Sequence, residues 1–508
     1  MYRWLRKPLA AAVLATALAT AAAGCSGGKG EESGGTSVQS KNEPFPITMM
    51  NQSIVAEVPA ADNPMVKALE DYTNTKLNIQ WVPSSNYNEK LNSVIASGSL
   101  PMVLLVTERQ QSIIQALRGG FFWDITPYLQ DYPNLAKAQS KAVRNSLSVD
   151  GKTYSLFISL SPVLDSFIYR KDWLDHLGLK PPETLDDIYA VLKAFTQDDP
   201  DGDEKNDTVA FAEESGLRGF NFLLAAHGGG NEWDVVDGKL VPTIFSQAYL
   251  DTLNFYKKLY DEKLMNQDFA ISTRQTNIDK MNQGQIGVRM GAPDQITRQN
   301  QLYKSNPKAV LDLTASVNGV KGRRVLMSAG YFGEFMFPKS SVKTEADLRR
   351  ILEFFDKSSD PGGQTIFQWG VEGTHYTVQD GKAKRTPAQA DLYNSLIPVR
   401  TMLRISDGKG AMEGAVDPII AKYTAAQDAV MDDLVLNPAS KYISDTMLKK
   451  GSDLDQLIND ARIKYIMGEL NADGWKDALE AWRKAGGDQV IQEMNEQYAK
   501  DPDKIKVD

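Results

Sequence analysis

The chain has 508 residues, with 56 Lys and Arg against 65 Asp and Glu, three His and one Cys. That length exceeds one ordinary domain, and a 42% hydrophobic content excludes a disordered chain. The net charge of −9 lacks the basic footprint that nucleic-acid binding needs, and a lone Cys excludes an internal disulfide. His176, His227 and His375 are too scattered to indicate a zinc cluster or a Cys–His dyad.

At the N-terminus, Arg3, Arg6 and Lys7 precede an Ala/Leu-rich run from Leu9 to Ala23. A basic start, a short apolar core and small residues before a processing point describe a secretory signal over residues 1–24. The run is shorter than the ~20 residues a spanning helix needs. Its end, Ala22-Ala23-Gly24-Cys25, resembles a bacterial lipobox. The resemblance implies cleavage before Cys25 and a lipid (diacylglycerol, palmitate-type) on its thiol. The bland alternative is an ordinary signal with an accidental cysteine, yet the only Cys of the chain stands here. Residues 25–43 then form a lipidated flexible tether, rich in Gly and Ser from Ser26 to Lys41. Losing residues 1–24 removes three basic residues and no acidic ones, taking the net charge from −9 to −12. The expected location is the extracellular face of the cell membrane, held by lipid alone.

Past the tether, strand and helix patterns alternate. Ile47 to Met50 forms a short apolar strand, and Met65, Leu69 and Tyr72 recur at helical spacing. Leu77, Ile79 and Trp81 alternate as a strand does. Leu91, Val94 and Ile95 mark a helix ended by Gly98, and Val103 to Val106 is a continuous apolar run suited to a strand buried on both faces. This β-α-β-α-β order predicts a parallel sheet between helices. A second region opens near Phe167 with a strand end at Ile168-Tyr169 and a short helix from Lys171 to Leu177, stopped at Gly178. Thr184 and Asp187 make a capping box for a helix carrying Ile188, Val191, Leu192 and Phe195. A helix at Leu250 to Leu259, a strand at Ile286 to Val288, and a strand–helix unit at Tyr331 to Phe337 and Glu345 to Asp356 follow. The last ninety or so residues read as helical, with Trp475 and Trp482 on one helix face.

The string DSFIYRKDWLDHLGLKPPETLDDIYAVLKAF from Asp165, followed by DDPDGDEKNDT, closely resembles extracellular solute-binding lipoproteins of bacterial ABC importers. The likeness is to their large, oligosaccharide-type branch (family 1) from Gram-positive bacteria. NIQWVPSSNYNEKLNSVIASGSLP from Asn78, WGVEGTHYTVQDGK from Trp369 and the run from Tyr465 to Tyr498 extend it over nearly the whole mature chain. Two positions depart from the pattern: Met102 stands where an Asp is common, and Ala292-Pro293-Asp294 where maltose-type receptors carry an aromatic. The resemblance implies an α/β, two-lobed periplasmic-binding-protein-like fold (type II), each lobe a sheet flanked by helices, with three crossings of the chain between lobes. Matching segments place the crossings near Tyr154–Phe167, Val310–Ala315 and Asp356–Gly363. Lobe one is then 44–160 plus 314–358, and lobe two 165–312 plus 362–508.

Asp199, Asp201, Asp203 and Asp207 stand at relative positions 1, 3, 5 and 9, with the carbonyl of Lys205 at 7, like the first part of an EF-hand loop. Position 6 is Glu204 rather than Gly, and position 12 is Ala210 rather than Glu. Alginate-type receptors of this group, which the loop resembles, bind calcium in a comparable place. A structural Ca²⁺ is therefore expected, with Glu213 or Glu214 as further oxygen donors; a solvated acidic turn is the plain alternative.

Sugar recognition needs flat aromatic faces and fixed polar groups. Trp233 after Gly228-Gly229-Gly230, Trp123 after Gly119-Gly120, and Trp369 with Glu372 and Tyr376 stand in loop-like settings. Asp165, Arg289, Tyr331 and Glu334 are weaker polar candidates. Trp81, Trp173, Trp475 and Trp482 read as core, and His375 as a structural histidine. The expected function is capture of an oligosaccharide by lobe closure and delivery to ABC permease subunits, by a non-enzymatic monomer that touches the membrane through its lipid. A lipid-anchored glycoside hydrolase with paired carboxylates is the alternative, although no nucleophile elbow, zinc-protease helix or phosphate loop is present.

Overall fold

The computed structural model describes residues 43–54, 58–205, 207–292, 296, 299–415 and 418–505. The signal segment, Cys25 and the tether to residue 42 lie outside the described residues.

The first sheet begins with Phe45–Ser53, in which buried Phe45, Ile47 and Met49 alternate with exposed Pro46 and Thr48. It pairs in parallel with Thr75–Pro83 on one side and with Val103–Val106 on the other. All four residues of Val103–Val106 are buried, as the unbroken apolar run requires. Tyr331–Met336 returns antiparallel beside them and joins Ser155–Ser159. The five strands stand in the order 75–83, 45–53, 103–106, 331–336, 155–159.

A second sheet has the order 311–314, 166–170, 286–291, 209–212. Along Ser166–Arg170 the period of two sends Phe167 and Tyr169 into one core and Ile168 into another, so the strand is buried throughout. Helix Leu185–Gln197 starts at the expected capping box. Thr184 Oγ1 accepts the Asp187 N–H at 3.1 Å, and an Asp187 carboxylate oxygen accepts the Thr184 N–H at 2.9 Å. Helices Asp445–Ile466, Ala472–Trp482 and Asp488–Lys500 close this core, with Trp475 and Trp482 buried inside it.

The chain passes from the first sheet to the second between Ser159 and Ser166, and back between Thr314 and Tyr331. The third passage corrects the sequence reading. Helices Pro361–Trp369, Pro387–Asn394 and Ile397–Leu403 send Phe367, Tyr393, Leu396, Val399, Met402 and Leu403 into the first core. Asn51 Nδ2 donates to the Met402 carbonyl at 2.7 Å, and Gln139 Nε2 to that of Ile405 at 2.9 Å. Residues 362–405 therefore sit with the first sheet, not with the second. Helix Pro418–Asp428 is the first element afterwards to meet the second sheet, where Lys422 pairs with Asp312 at 2.6 Å. Short amphipathic helices declare that they have an apolar face, but not which of two cores receives it.

Candidate functional site

A cavity of about 1080 Å³ opens between the two cores. Arg109, Ile114, Leu147 and Tyr331 wall it from the first sheet's side, and Phe220, Glu232, Trp233, Tyr249, Asp455 and Arg462 from the second. Arg109 follows directly on the buried strand Val103–Val106, so the end of a central strand delivers it to the cleft. Its Nε and Nη2 reach the two carboxylate oxygens of Glu334 at 2.7 and 2.6 Å, and Nη2 also donates to the Leu147 carbonyl. Glu334 is buried and takes a third donor, Ser155 Oγ, at 2.5 Å. The strand register shifts between Tyr331 and Glu334, and that irregularity turns Tyr331 to the cavity while Glu334 stays behind Arg109. Burial, reinforced by the Glu334 charge, raises the Tyr331 hydroxyl pKa, so it stays a neutral hydrogen-bonding group.

On the opposite wall, the glycine run gives way to Glu232 and Trp233. A side chain at Gly230 would collide with the Asp234 carboxylate, which is why the loop needs glycine there. Asn231 Nδ2 fastens the loop by donating to the carbonyls of Met327 at 2.8 Å and Val435 at 3.0 Å. Trp233 is not in a loop, as its glycines suggested. It opens a hairpin, Trp233–Val236 paired with Lys239–Pro242, and stays half-buried at the cavity. Tyr249 stacks on Trp475 at 5.5 Å and Phe220 tilts over Tyr249 at 4.8 Å, giving the cavity an aromatic floor. Asn437 Nδ2 donates to Glu232 at 2.8 Å. Solvent in the open cleft reaches both side chains, yet crowding by protein, then the Asp455 charge, raise the Glu232 pKa; the same crowding raises that of Asp455, against the pull of Arg462.

Among the sequence candidates, Trp233 and Tyr331 meet in this cavity, and Glu334 stands behind its wall. Asp165 lies in an adjoining chamber of about 280 Å³, paired with Arg218 at 2.5 Å. The others are elsewhere. The Trp123 indole donates to the Val342 carbonyl at 2.8 Å and packs on the first core. Trp369 and Tyr376 are buried together with Ala383, and the Trp369 indole donates to the Met412 carbonyl at 2.8 Å. Glu372 is exposed beside them, and Arg289 is buried within the strand Ile286–Gly291. These five line neither cavity. Arg109, Glu232, Asn437, Asp455 and Arg462 were missed. The sequence signal for Arg109 was its place just beyond a central strand, and for Glu232 its place at the end of a glycine run.

In the acidic loop, one carboxylate oxygen from each of Asp199, Asp201 and Asp203 lies within 4.8 Å of the others. Asp199 accepts the N–H groups of Asp203 at 3.2 Å and Glu204 at 3.0 Å, folding the loop inward. Glu204 adopts a φ of 63°, the left-handed conformation that glycine usually supplies at this position. Burial, then the neighbouring Asp203 and Asp199, raise the Asp201 pKa. Glu213 and Glu214 are committed elsewhere: Glu213 is buried and accepts from Tyr256 at 2.7 Å, and Glu214 faces Arg274 at 3.5 Å. His375 is buried, and its Nδ1 accepts the Val371 N–H at 3.1 Å, a structural role.

Two sheets with separate cores and a deep aromatic cleft between them define a binding protein that holds its solute between lobes. A sequence profile of the bacterial extracellular solute-binding protein family matches residues 53–365, and the chain belongs to that family. It is 34% identical over 508 residues to "Lipoprotein LipO" of Bacillus subtilis, spanning 98% of each chain. It is also 34% identical over 440 residues to the "Polygalacturonan/rhamnogalacturonan-binding protein YtcQ" of the same species, covering 85% of this chain and 87% of that one. The Streptococcus pneumoniae ABC-transporter substrate-binding protein FusA in complex with kestose has the same fold, with a TM-score of 0.66 and 21% identity over 89% of this chain and 99% of that one. An EF-hand mutant of FusA, at 20% identity over the same shares of the two chains, aligns with a TM-score of 0.65. The chain is a substrate-binding protein rather than an enzyme, which sets aside the hydrolase alternative.

Proposed function

We propose that this chain captures an oligosaccharide in the interlobe cleft, closes over it, and presents it to the permease subunits of an ABC importer. The carrying observation is the cavity of about 1080 Å³, large enough for several sugar rings and walled by aromatic faces beside fixed polar groups. Trp233 and Tyr331 offer ring faces and a hydroxyl from opposite walls, and Glu232 with Asn437 offers hydrogen-bonding groups. Hinge points fall in the three passages, 160–165, 315–330 and 406–415, about which one lobe rotates on the other. The names of FusA and YtcQ support the sugar class. The test is titration calorimetry of the purified protein with fractionated oligosaccharides. One-to-one binding with the sugar recovered intact supports the reading; released reducing ends, or no binding to any fraction, overturn it.

Two further parts of the reading concern its setting. Cys25 carries the lipid and tethers a monomer to the outer face of the membrane, a role that accords with the LipO name. Mass spectrometry of the native N-terminus, and release of Cys25→Ala protein from membranes, test it. The loop at Asp199, Asp201 and Asp203, with the Lys205 carbonyl and Asp207 as further donors, holds a structural Ca²⁺. The oxygen-only donor set suits this ion, which accepts six to eight such ligands.

A further inference from the structure

We propose that the cleft is built for an oligosaccharide without carboxylates, neutral or amine-bearing, and that Glu232 and Asp455 select it against uronic-acid polymers. This rests on the oligosaccharide reading above and narrows it. Binding a polyuronate requires cations free to meet each carboxylate, usually Arg in a two-point grip. Among the described residues, the lining of the main cavity holds three acids, Glu232, Asp455 and Asp460, against two arginines, and no lysine.

Only one of the two arginines is ion-paired, and the other is held by neutral partners. Arg109 is gripped at two points by Glu334, at 2.7 and 2.6 Å, so its charge is neutralised from behind the wall. Arg462 donates to Asn459 at 2.8 Å, lies 5.1 Å from the centre of the Phe220 ring, and stands within electrostatic reach of Asp455. In the adjoining chamber Arg218 is paired with Asp165 at 2.5 Å, and Arg324 also has a partner. An incoming carboxylate would therefore face Glu232, Asp455 and Asp460 with a single arginine that no acid grips, Arg462, as counter-charge. A hydroxyl or an ammonium there donates a hydrogen bond to those same oxygens. Exclusion of the wrong charge is a source of selectivity alongside the contacts that favour the right ligand.

The test is calorimetric titration of the intact protein with matched oligosaccharide pairs. Suitable pairs are galacturonan oligomers with their methyl esters, and xylan oligomers with and without uronic-acid branches. Chitosan oligomers supply the amine-bearing class. For whichever backbone binds, the uncharged member is expected to bind ~10-fold or more tightly than its acidic partner. In the Glu232→Gln, Asp455→Asn double variant that gap should shrink several-fold, while an unchanged melting temperature shows the fold intact. Equal or tighter binding of the acidic member by the wild-type protein overturns the proposal, and so does a gap the double variant leaves unchanged. Failure of every oligosaccharide to bind is a different result: it sinks the receptor reading itself.

Discussion

Arg109 and Glu334 meet in a two-point ion pair, with Nε to Oε1 at 2.7 Å and Nη2 to Oε2 at 2.6 Å, where the first sheet reaches the cleft. The Glu334 side chain is 1% exposed and that of Arg109 15%, so neither end can be lost to water cheaply. Removing one partner leaves the other as a buried, uncompensated charge. Glu334→Ala is expected to cost about 3 kcal/mol or more in chemical denaturation, and Arg109→Leu with Glu334→Leu together much less than the two single losses summed. A double variant as unstable as that sum would show that the two residues act separately.

Trp233 and Trp369 separate binding from folding. Trp233 is half-buried at the cavity, whereas Trp369 is 5% exposed, bonded to the Met412 carbonyl and capped by Arg385 at 4.4 Å. Trp233→Ala should weaken oligosaccharide binding about 10-fold, close to 1.4 kcal/mol, with little change in melting temperature. Trp369→Ala should cost about 3 kcal/mol of stability and leave affinity unchanged at temperatures where it stays folded. The opposite ordering would return Trp369 to the site.

What could be read from the sequence followed from periodicity and local chemistry. The buried run Val103–Val106, the capping box at Thr184 and Asp187, and the core tryptophans Trp173 and Trp475 all depend on near neighbours in the chain. The cleft depends on distant ones. Arg109 finds Glu334 across 225 residues, and Asn437 finds Glu232 across 205. No spacing rule reaches that far, so only Trp233 and Tyr331 of the proposed ligand contacts reached the cavity. Trp369 was expected at the cleft because it stands just past the third crossing, in a loop-like setting. Gly370 instead caps a helix against His375, and Gly373 turns the chain back so that Tyr376 packs beside the indole.

Glu213 gives the second lobe a dependence on pH. It is buried, and burial raises its pKa from the ordinary 4.5 to about 7, although Tyr256 and the N–H groups of Glu214 and Gly219 all donate to it. A carboxyl held above its unfolded pKa favours the folded state at low pH. Its contribution is fully present below pH 4.5, falls as the unfolded chain ionises first, and is exhausted above about pH 7. The loss across that window is about 3 kcal/mol. Comparing the stability of wild type and Glu213→Gln from pH 4 to 8 isolates this slope; parallel curves would assign the pH dependence elsewhere.

The acidic loop at Asp199, Asp201 and Asp203 should make stability depend on calcium. Three carboxylate oxygens within 4.8 Å repel one another without a cation, and Asp201 already shows that strain in its raised pKa, through burial and then Asp203 and Asp199. Lys205 relieves part of it, with Nζ 2.6 Å from Asp203, but its exposed ammonium contacts one edge of the cluster rather than its centre. An ion bound only by the folded loop stabilises the protein by about 2.7 kcal/mol at a hundredfold excess over its Kd. Chelation should therefore lower the melting temperature, added Ca²⁺ should restore it, and Mg²⁺, which demands a tighter octahedral shell, should restore it less. In the Asp199→Asn, Asp201→Asn double variant the calcium response should vanish, while the chelated melting temperature rises toward or above that of chelated wild type, because the repulsion has gone. Oligosaccharide affinity should be unaffected, since the loop residues line neither cavity. A wild-type melt indifferent to chelator, with no calcium by elemental analysis, would leave the loop an acidic turn held by Lys205.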